Sequence, residues 1–199
     1  MNTLKSNYII CLDNGHGVNT PGKCSPDKKL KEYAYTREIV SRLATKLKEN
    51  DYKVYIVTPE QEDISLKERC RRINKVYLEN GKKAISISVH NNAAGADGKW
   101  HSAKGFQVYI SLNASSNSKK LAKTLYDEAL ELKQQGNRAI PREHYWAQNL
   151  AMCRDTNCPA VLTENLFQDN KEDVDFLLSE KGKQTIVDIH YNAIVKYLS

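Results

Sequence analysis

The 199-residue chain has only three phenylalanines and two tryptophans, no apolar run approaching the length of a membrane span, and no repeated or low-complexity segment. The scarcity of phenylalanine, with no arginine-aromatic-glycine signature, leaves no nucleic-acid motif and predicts no nucleic-acid partner. The missing apolar run excludes a transmembrane helix, and the opening Met-Asn-Thr-Leu-Lys-Ser-Asn-Tyr lacks the hydrophobic stretch of a signal peptide. With nothing to divide it, a chain of this length is expected to build one sizeable core, so residues 1–199 read as a single domain. Five cysteines, Cys11, Cys24, Cys70, Cys153 and Cys158, are odd in number and irregularly spaced. They match neither a disulfide scaffold nor a paired Cys-x-x-Cys zinc site and read mostly as reduced thiols. The formal net charge of +6 is spread along the chain. It suits an anionic partner such as a cell-wall polymer, although a solvated lysine-rich surface is the better explanation.

What is present is alternation. Ala84 to Asn92, reading Ala-Ile-Ser-Ile-Ser-Val-His-Asn-Asn, places β-branched residues at every second position and then delivers His90 at the end of the run. Tyr8-Ile-Ile-Cys-Leu-Asp13 is an apolar strand that runs into Asn-Gly-His-Gly, so His16 also lies just past a strand end. Between these, Ile39, Val40, Leu43 and Leu47 have helical spacing from about Glu32 to Asn50. Tyr52 to Thr58 is a strand, and Ser65-Leu-Lys-Glu68 is a capping box opening a helix that Gly81 ends. Strands alternating with helices predict an α/β domain, a mostly parallel twisted sheet of about six strands with helices on both faces.

The second half continues in kind. Gly105 to Ser111 is a strand, and a helix begins at Ser116 or Ser118 with Leu121, Leu125, Ala129 and Leu132 on its apolar face. Gln134 to Tyr145 is irregular, with a helical turn or two expected through Leu150. Pro159-Ala-Val-Leu-Thr163 is a short apolar run, with Glu164 standing directly after it. Asn170 caps a short helix, and a final one spans about Lys181 to Leu198.

Three strands are thus expected to bring His16, His90 and Glu164 to the carboxyl edge where parallel sheets place their ligands, with Glu32 nearby. Each alone has an ordinary reading: a polar strand end for His90, a turn residue for His16, a helix-dipole acid for Glu32, a cap for Glu164. Together, two imidazoles and a carboxylate form the ligand set of one catalytic Zn2+ with a position left for water. A further carboxylate beside that water would move its proton. His101, His144 and His190, and the pair Tyr145 and Trp146, lie outside this logic; the first two and the aromatic pair are as readily surface or packing residues, and His190 is structural or solvent-facing. Asn92, two residues past His90, is a substrate-binding candidate.

The same positions resemble a known family, the zinc-dependent N-acetylmuramoyl-L-alanine amidases of the LytC/AmiC type. Leu12-Asp-Asn-Gly-His-Gly17, Glu32, Ser65-Leu-Lys-Glu-Arg69 with Asn74, Ser88-Val-His-Asn-Asn92, and Pro159-Ala-Val-Leu-Thr-Glu164 with Phe167 and Asn170 are similar to its motifs in order and spacing from about residue 8 to 175. The chain departs from them at Val18, at Thr20-Pro-Gly22 and at Asn165. The resemblance implies Zn2+ held by His16, Glu32 and His90, with Glu164 as catalytic acid/base. It implies as substrate the peptidoglycan amide between N-acetylmuramic acid and L-alanine. The rival expectations are a zinc peptidase or deacylase on another amide, and a wall-binding module without catalysis. A monomer acting on the cell wall is expected, either released as a phage or prophage lysin or freed of a leader.

Overall fold

The computed structural model describes residues 7–199; residues 1–6, the start of the stretch read as lacking a leader, lie outside the described residues. Six strands, β1 (Ile9–Asn14), β2 (Lys53–Ile56), β3 (Ala84–Asn92), β4 (Gln107–Ile110), β5 (Trp146–Ala147) and β6 (Ala160–Phe167), form one sheet in the order β2-β1-β3-β6-β4-β5. β1 is parallel to β2 and β3, and β3 is parallel to β6. β4 runs antiparallel to β6 and parallel to β5. This is the expected α/β architecture with its mostly parallel sheet of six strands.

Period-two alternation divides the sheet into unlike faces. Ile10 and Leu12 of β1, Ile85, Ile87 and Val89 of β3, Val108 of β4 and Val161 of β6 join the main core. This face packs under α1 (Glu32–Glu49), α3 (Ser116–Glu131) and α6 (Glu180–Leu198), with α5 (Lys171–Leu178) against α6. In α1 the stripe of Ile39, Val40, Leu43 and Leu47 is buried, as its spacing requires. Removing a side chain of this kind from water stabilises by roughly 1.5–3 kcal/mol. The residues between, Cys11 and Ala84 among them, face a smaller cluster under α2 (Leu66–Glu79) and the short α4 (Ala151–Arg154), which supply Cys70, Ile73 and Met152.

Three local expectations are corrected. The segment expected as a helical turn through Leu150 instead opens with the two-residue β5, because Tyr109 and Ile110 offer Trp146 and Ala147 a free strand edge; the turn of helix, α4, starts only at Ala151. The Ser65 hydroxyl accepts from the amide of Glu68 at 3.3 Å, but the Glu68 carboxylate does not reach back, being taken by Arg71 and Arg72. Glu164 lies inside β6 and not after it, since the strand continues to Phe167. There, Asn92 pairs with Phe167 although His90 pairs with Glu164, so β6 has one residue more than β3 and Leu166 bulges at φ 62°.

Candidate metal centre

His16 has φ 63°, a left-handed conformation uncommon for residues with a side chain. It is held there by its neighbours: the Gly15 amide donates to Val89 O at 2.9 Å, and the His16 carbonyl accepts from Arg37 at 3.0 Å and from Arg69 at 3.3 Å. Glycine flanks it for space. A Cβ on residue 15 would overlap the imidazole of His90, and one on residue 17 would overlap the backbone of Glu62 and Asp63. The Gly-His-Gly turn is therefore a packing requirement of the second histidine and of the following loop.

Glu32 is the first residue of α1 and is 1% exposed. Its Oε1 accepts from the amide of Asn91 at 2.9 Å and lies 3.2 Å from His90 Nδ1 and 3.4 Å from His16 Nε2. Its other oxygen, Oε2, is buried without a hydrogen-bond partner. A carboxylate placed only for the helix dipole would be solvated; this one is turned into the protein between two imidazoles. Burial opposes its ionisation, but the two histidines outweigh that and hold it well below the ordinary carboxylate range. His90 shows the counterpart: burial lowers its pKa, yet the hydrogen bond and charge of Glu32, with Glu164 and Asp13 behind, raise it above the ordinary value.

The three side chains fit a cation. One ligand atom from each of His16, Glu32 and His90 lies within 4.8 Å of the others. Ligands about 2.0–2.1 Å from a tetrahedral ion stand roughly 3.3 Å apart, close to the two carboxylate-to-imidazole distances given above. The orphaned Oε2 and a mixed imidazole-carboxylate donor set suit a borderline ion such as zinc.

Glu164 sits beside this set. It is the register partner of His90 on β3 and of Gln107 on β4, so the three side chains form a row on the α2 and α4 side of the sheet. Its Oε2 is sealed and unpartnered, and burial pushes its pKa up to about 8, with the charge of Glu32 adding to the rise against the pull of His90 and Lys23. Asn92 is engaged within the protein: its amide donates to Gln107 at 2.6 Å and its carbonyl accepts from Ala93 N at 2.8 Å. A cavity of about 480 Å³ lined by Asp13, His16, Thr20, Asp63, Arg69 and His90 opens next to the two imidazoles.

The remaining candidates do not join the row. His101 pairs with Asp97 at 2.9 Å and His144 with Asp127 at 2.5 Å. Trp146 packs on Tyr109 and Tyr126. His190 is fully buried under the other face, between Thr163 Oγ1 at 3.0 Å and the Ile186 carbonyl at 2.8 Å, so it is structural and not solvent-facing. Sequence reasoning gave no role to Asp13, Ser88, Arg69 or Gln107, which lie beside the site; for the three strand residues the available signal was a polar side chain at an alternate position of an otherwise apolar run, and Arg69 on α2 carried none beyond its motif. Asn165, one of the departures from the family pattern, donates to the His90 carbonyl at 2.8 Å and so fastens the end of β3.

A model of the family described as N-acetylmuramoyl-L-alanine amidase, Amidase_3, matches residues 10–196. The chain belongs to this family. Among curated members of comparable sequence, the endolysin of Bacillus phage SPP1 is 29% identical over 96% of this chain and 66% of its own length. The probable cell wall amidase LytH of Staphylococcus saprophyticus is 30% identical over 93% of this chain and 56% of its own length. This amidase-family chain therefore spans about two thirds of the first relative and a little over half of the second. Among solved structures, the N-acetylmuramoyl-L-alanine amidase from Clostridium difficile 630 superposes with a TM-score of 0.83 at 25% identity, covering 97% of both chains. Ami1 from Mycobacterium smegmatis shares the fold with a TM-score of 0.83 at 17% identity, covering 98% of each chain.

Proposed function

We propose that this amidase-family chain is a single catalytic domain that hydrolyses the amide between N-acetylmuramic acid and L-alanine of peptidoglycan, using one zinc ion held by His16, Glu32 and His90. The observation that carries the reading is the convergence of these three side chains on one point with Glu164 beside them, in a chain that the amidase family model matches from end to end of its sheet. When bound, zinc supplies a Lewis acid for the scissile carbonyl and for the attacking water.

The chain's own residues do the rest. Glu164, whose sealed Oε2 has no competing partner, takes the proton from water and returns it to the departing nitrogen. Burial favours the proton-bearing form of this carboxyl, which suits it to hold the proton between the two transfers, while a cation at the neighbouring site would favour the ionised form that accepts it. Asn92 retains one amide hydrogen and a carbonyl lone pair with which to meet the substrate while it holds Gln107 in place. The site lies at the carboxyl edge of β1, β3 and β6, open to a polymer chain approaching from outside. The protein acts as a monomer at the cell wall. No described helix is long and apolar enough to cross a membrane.

Mass spectrometry of digested peptidoglycan tests the reading. The zinc-loaded protein is expected to release stem peptides with a free L-alanine amine and glycan with a free lactyl carboxylate, and Glu164→Gln is expected to lose about 10²–10⁴-fold of that rate. Cleavage at a different amide would transfer the same machinery to the peptidase or deacylase reading, and no cleavage would leave a binding module.

A further inference from the structure

Behind His90 runs a chain of buried polar groups that the proposed reaction does not use. Asp13 and Ser88 are register partners on β1 and β3, and His90, two residues beyond Ser88, shares its side of the sheet. His90 Nε2 lies 3.2 Å from Ser88 Oγ, Ser88 Oγ lies 2.5 Å from Asp13 Oδ2, and Asp13 Oδ1 receives Arg69 at 2.8 Å. All three supporting residues are buried: Asp13 is 0%, Ser88 1% and Arg69 2% exposed.

Counting protons along this chain leaves one arrangement. A carboxylate facing a guanidinium only accepts, so the single hydroxyl proton of Ser88 goes to Asp13. The oxygen of Ser88 then turns a lone pair toward His90, and Nε2 must supply the proton between them. In the neutral imidazole this leaves the lone pair on Nδ1, the atom that faces Glu32 Oε1 at 3.2 Å. Two acceptors at that distance repel unless a proton or a cation stands between them.

We infer that Ser88 and Asp13 are positioning residues that fix His90 as its Nε2–H tautomer and so present Nδ1 to the metal. The inference rests on the reading of His90 as a ligand. Arg69 extends the clamp to the other imidazole, because the same guanidinium that holds Asp13 also donates to the carbonyls of Asn14 at 2.8 Å and His16 at 3.3 Å. One buried cation thereby orients both histidines, through a hydroxyl for one and through the backbone for the other. Ser88 is the link that serves His90 alone.

Zinc affinity measured by competition with a chelator, together with the ¹⁵N shifts of the His90 imidazole in the zinc-loaded protein, tests this on Ser88→Ala and Ser88→Thr. Ser88→Ala is expected to bind zinc about 10–100-fold more weakly. Its His90 Nε2–H resonance is expected to shift to that of a proton without the serine acceptor and to exchange faster, while Ser88→Thr, which keeps the hydroxyl, retains the parent resonance. If Ser88→Thr fails to fold, the spectrum of the parent protein still decides, since a protonated Nδ1 in its zinc-loaded form overturns the inference. Unchanged affinity and an unchanged His90 spectrum in Ser88→Ala also overturn it, as does a loss of affinity matched by an equal loss of folding stability with the spectrum unaltered. A parent protein that binds no zinc overturns instead the reading of His90 as a ligand.

Discussion

His90 and His190 both lie against the β3–β6 strand pair, yet their environments drive them in opposite directions. His190, on the inner side of α6 at the packed face, has Thr163 and a main-chain carbonyl for company, and burial pushes its pKa down to about 4. His90, on the face covered by α2 and α4, has Glu32, Glu164 and Asp13 around it, and its pKa rises. His190 is closed off from solvent while the His90 side chain is 15% exposed, and carboxylates surround only His90. The same contrast holds for the faces as wholes. Alternate residues of β3 send Ile85, Ile87 and Val89 into the aliphatic core and Ser86, Ser88 and His90 to the other side. The strands thus build a dry, closed support and a polar surface from one backbone, which is why the candidate site can hold charged groups without undoing the fold.

Breaking the polar face should cost most. Arg69→Ala leaves Asp13 buried without its ion-pair partner, for which about 3–5 kcal/mol of stability is expected to be lost, measured by urea unfolding. A loss below 1 kcal/mol would mean that the guanidinium is not a keystone of this face.

Next is the acid sensitivity of the packed face. Because the folded pKa of His190 lies near 4 and that of an unfolded histidine near 6.5, the unfolded chain takes up the proton first. The stability tied to its neutral form is present in full above pH 6.5 and is lost as the pH falls toward 4, a decline of roughly 3 kcal/mol over that window. His190→Asn is expected to flatten this slope relative to the parent protein when unfolding midpoints are compared at pH 7 and pH 4.5. Parallel slopes would remove His190 as its source.

The smallest effect sharpens the separation of the faces. Ile194→Val, a fully buried change in α6, should cost about 0.5–1.5 kcal/mol while zinc stoichiometry and hydrolysis stay as in the parent protein. A change in zinc binding from so distant a methyl group would show that the two faces are coupled more tightly than their packing suggests.

Much of this contrast was legible in the residues. The alternation of β1 and β3 announced the sheet, and the end of the apolar alternation at Asp13 and His90 placed two polar groups near its carboxyl edge, although β1 runs on to Asn14 and β3 to Asn92. The helical stripe after Glu32 likewise located α1 to within a residue at its carboxyl end. What stayed hidden depends on partners distant in sequence. β6 continues past Glu164 because β3 pairs with it as far as Asn92, and the bulge at Leu166 has no local signature. β5 is too short for any periodicity and exists only because β4 offers an edge. Asp13, Ser88 and Arg69 were visible as motif letters, but their joint role follows from a cross-strand register and a helix crossing that one-dimensional spacing does not contain.

Metal analysis of one variant series bears most directly on the polar face as a zinc centre. The parent protein and Glu164→Ala are expected to hold one zinc per chain, with hydrolysis absent only in the variant, while His16→Ala, Glu32→Ala and His90→Ala lose the metal and the activity together. A parent protein without zinc, or a Glu164→Ala protein as depleted as the other three, would contradict the division of roles between three ligands and one acid.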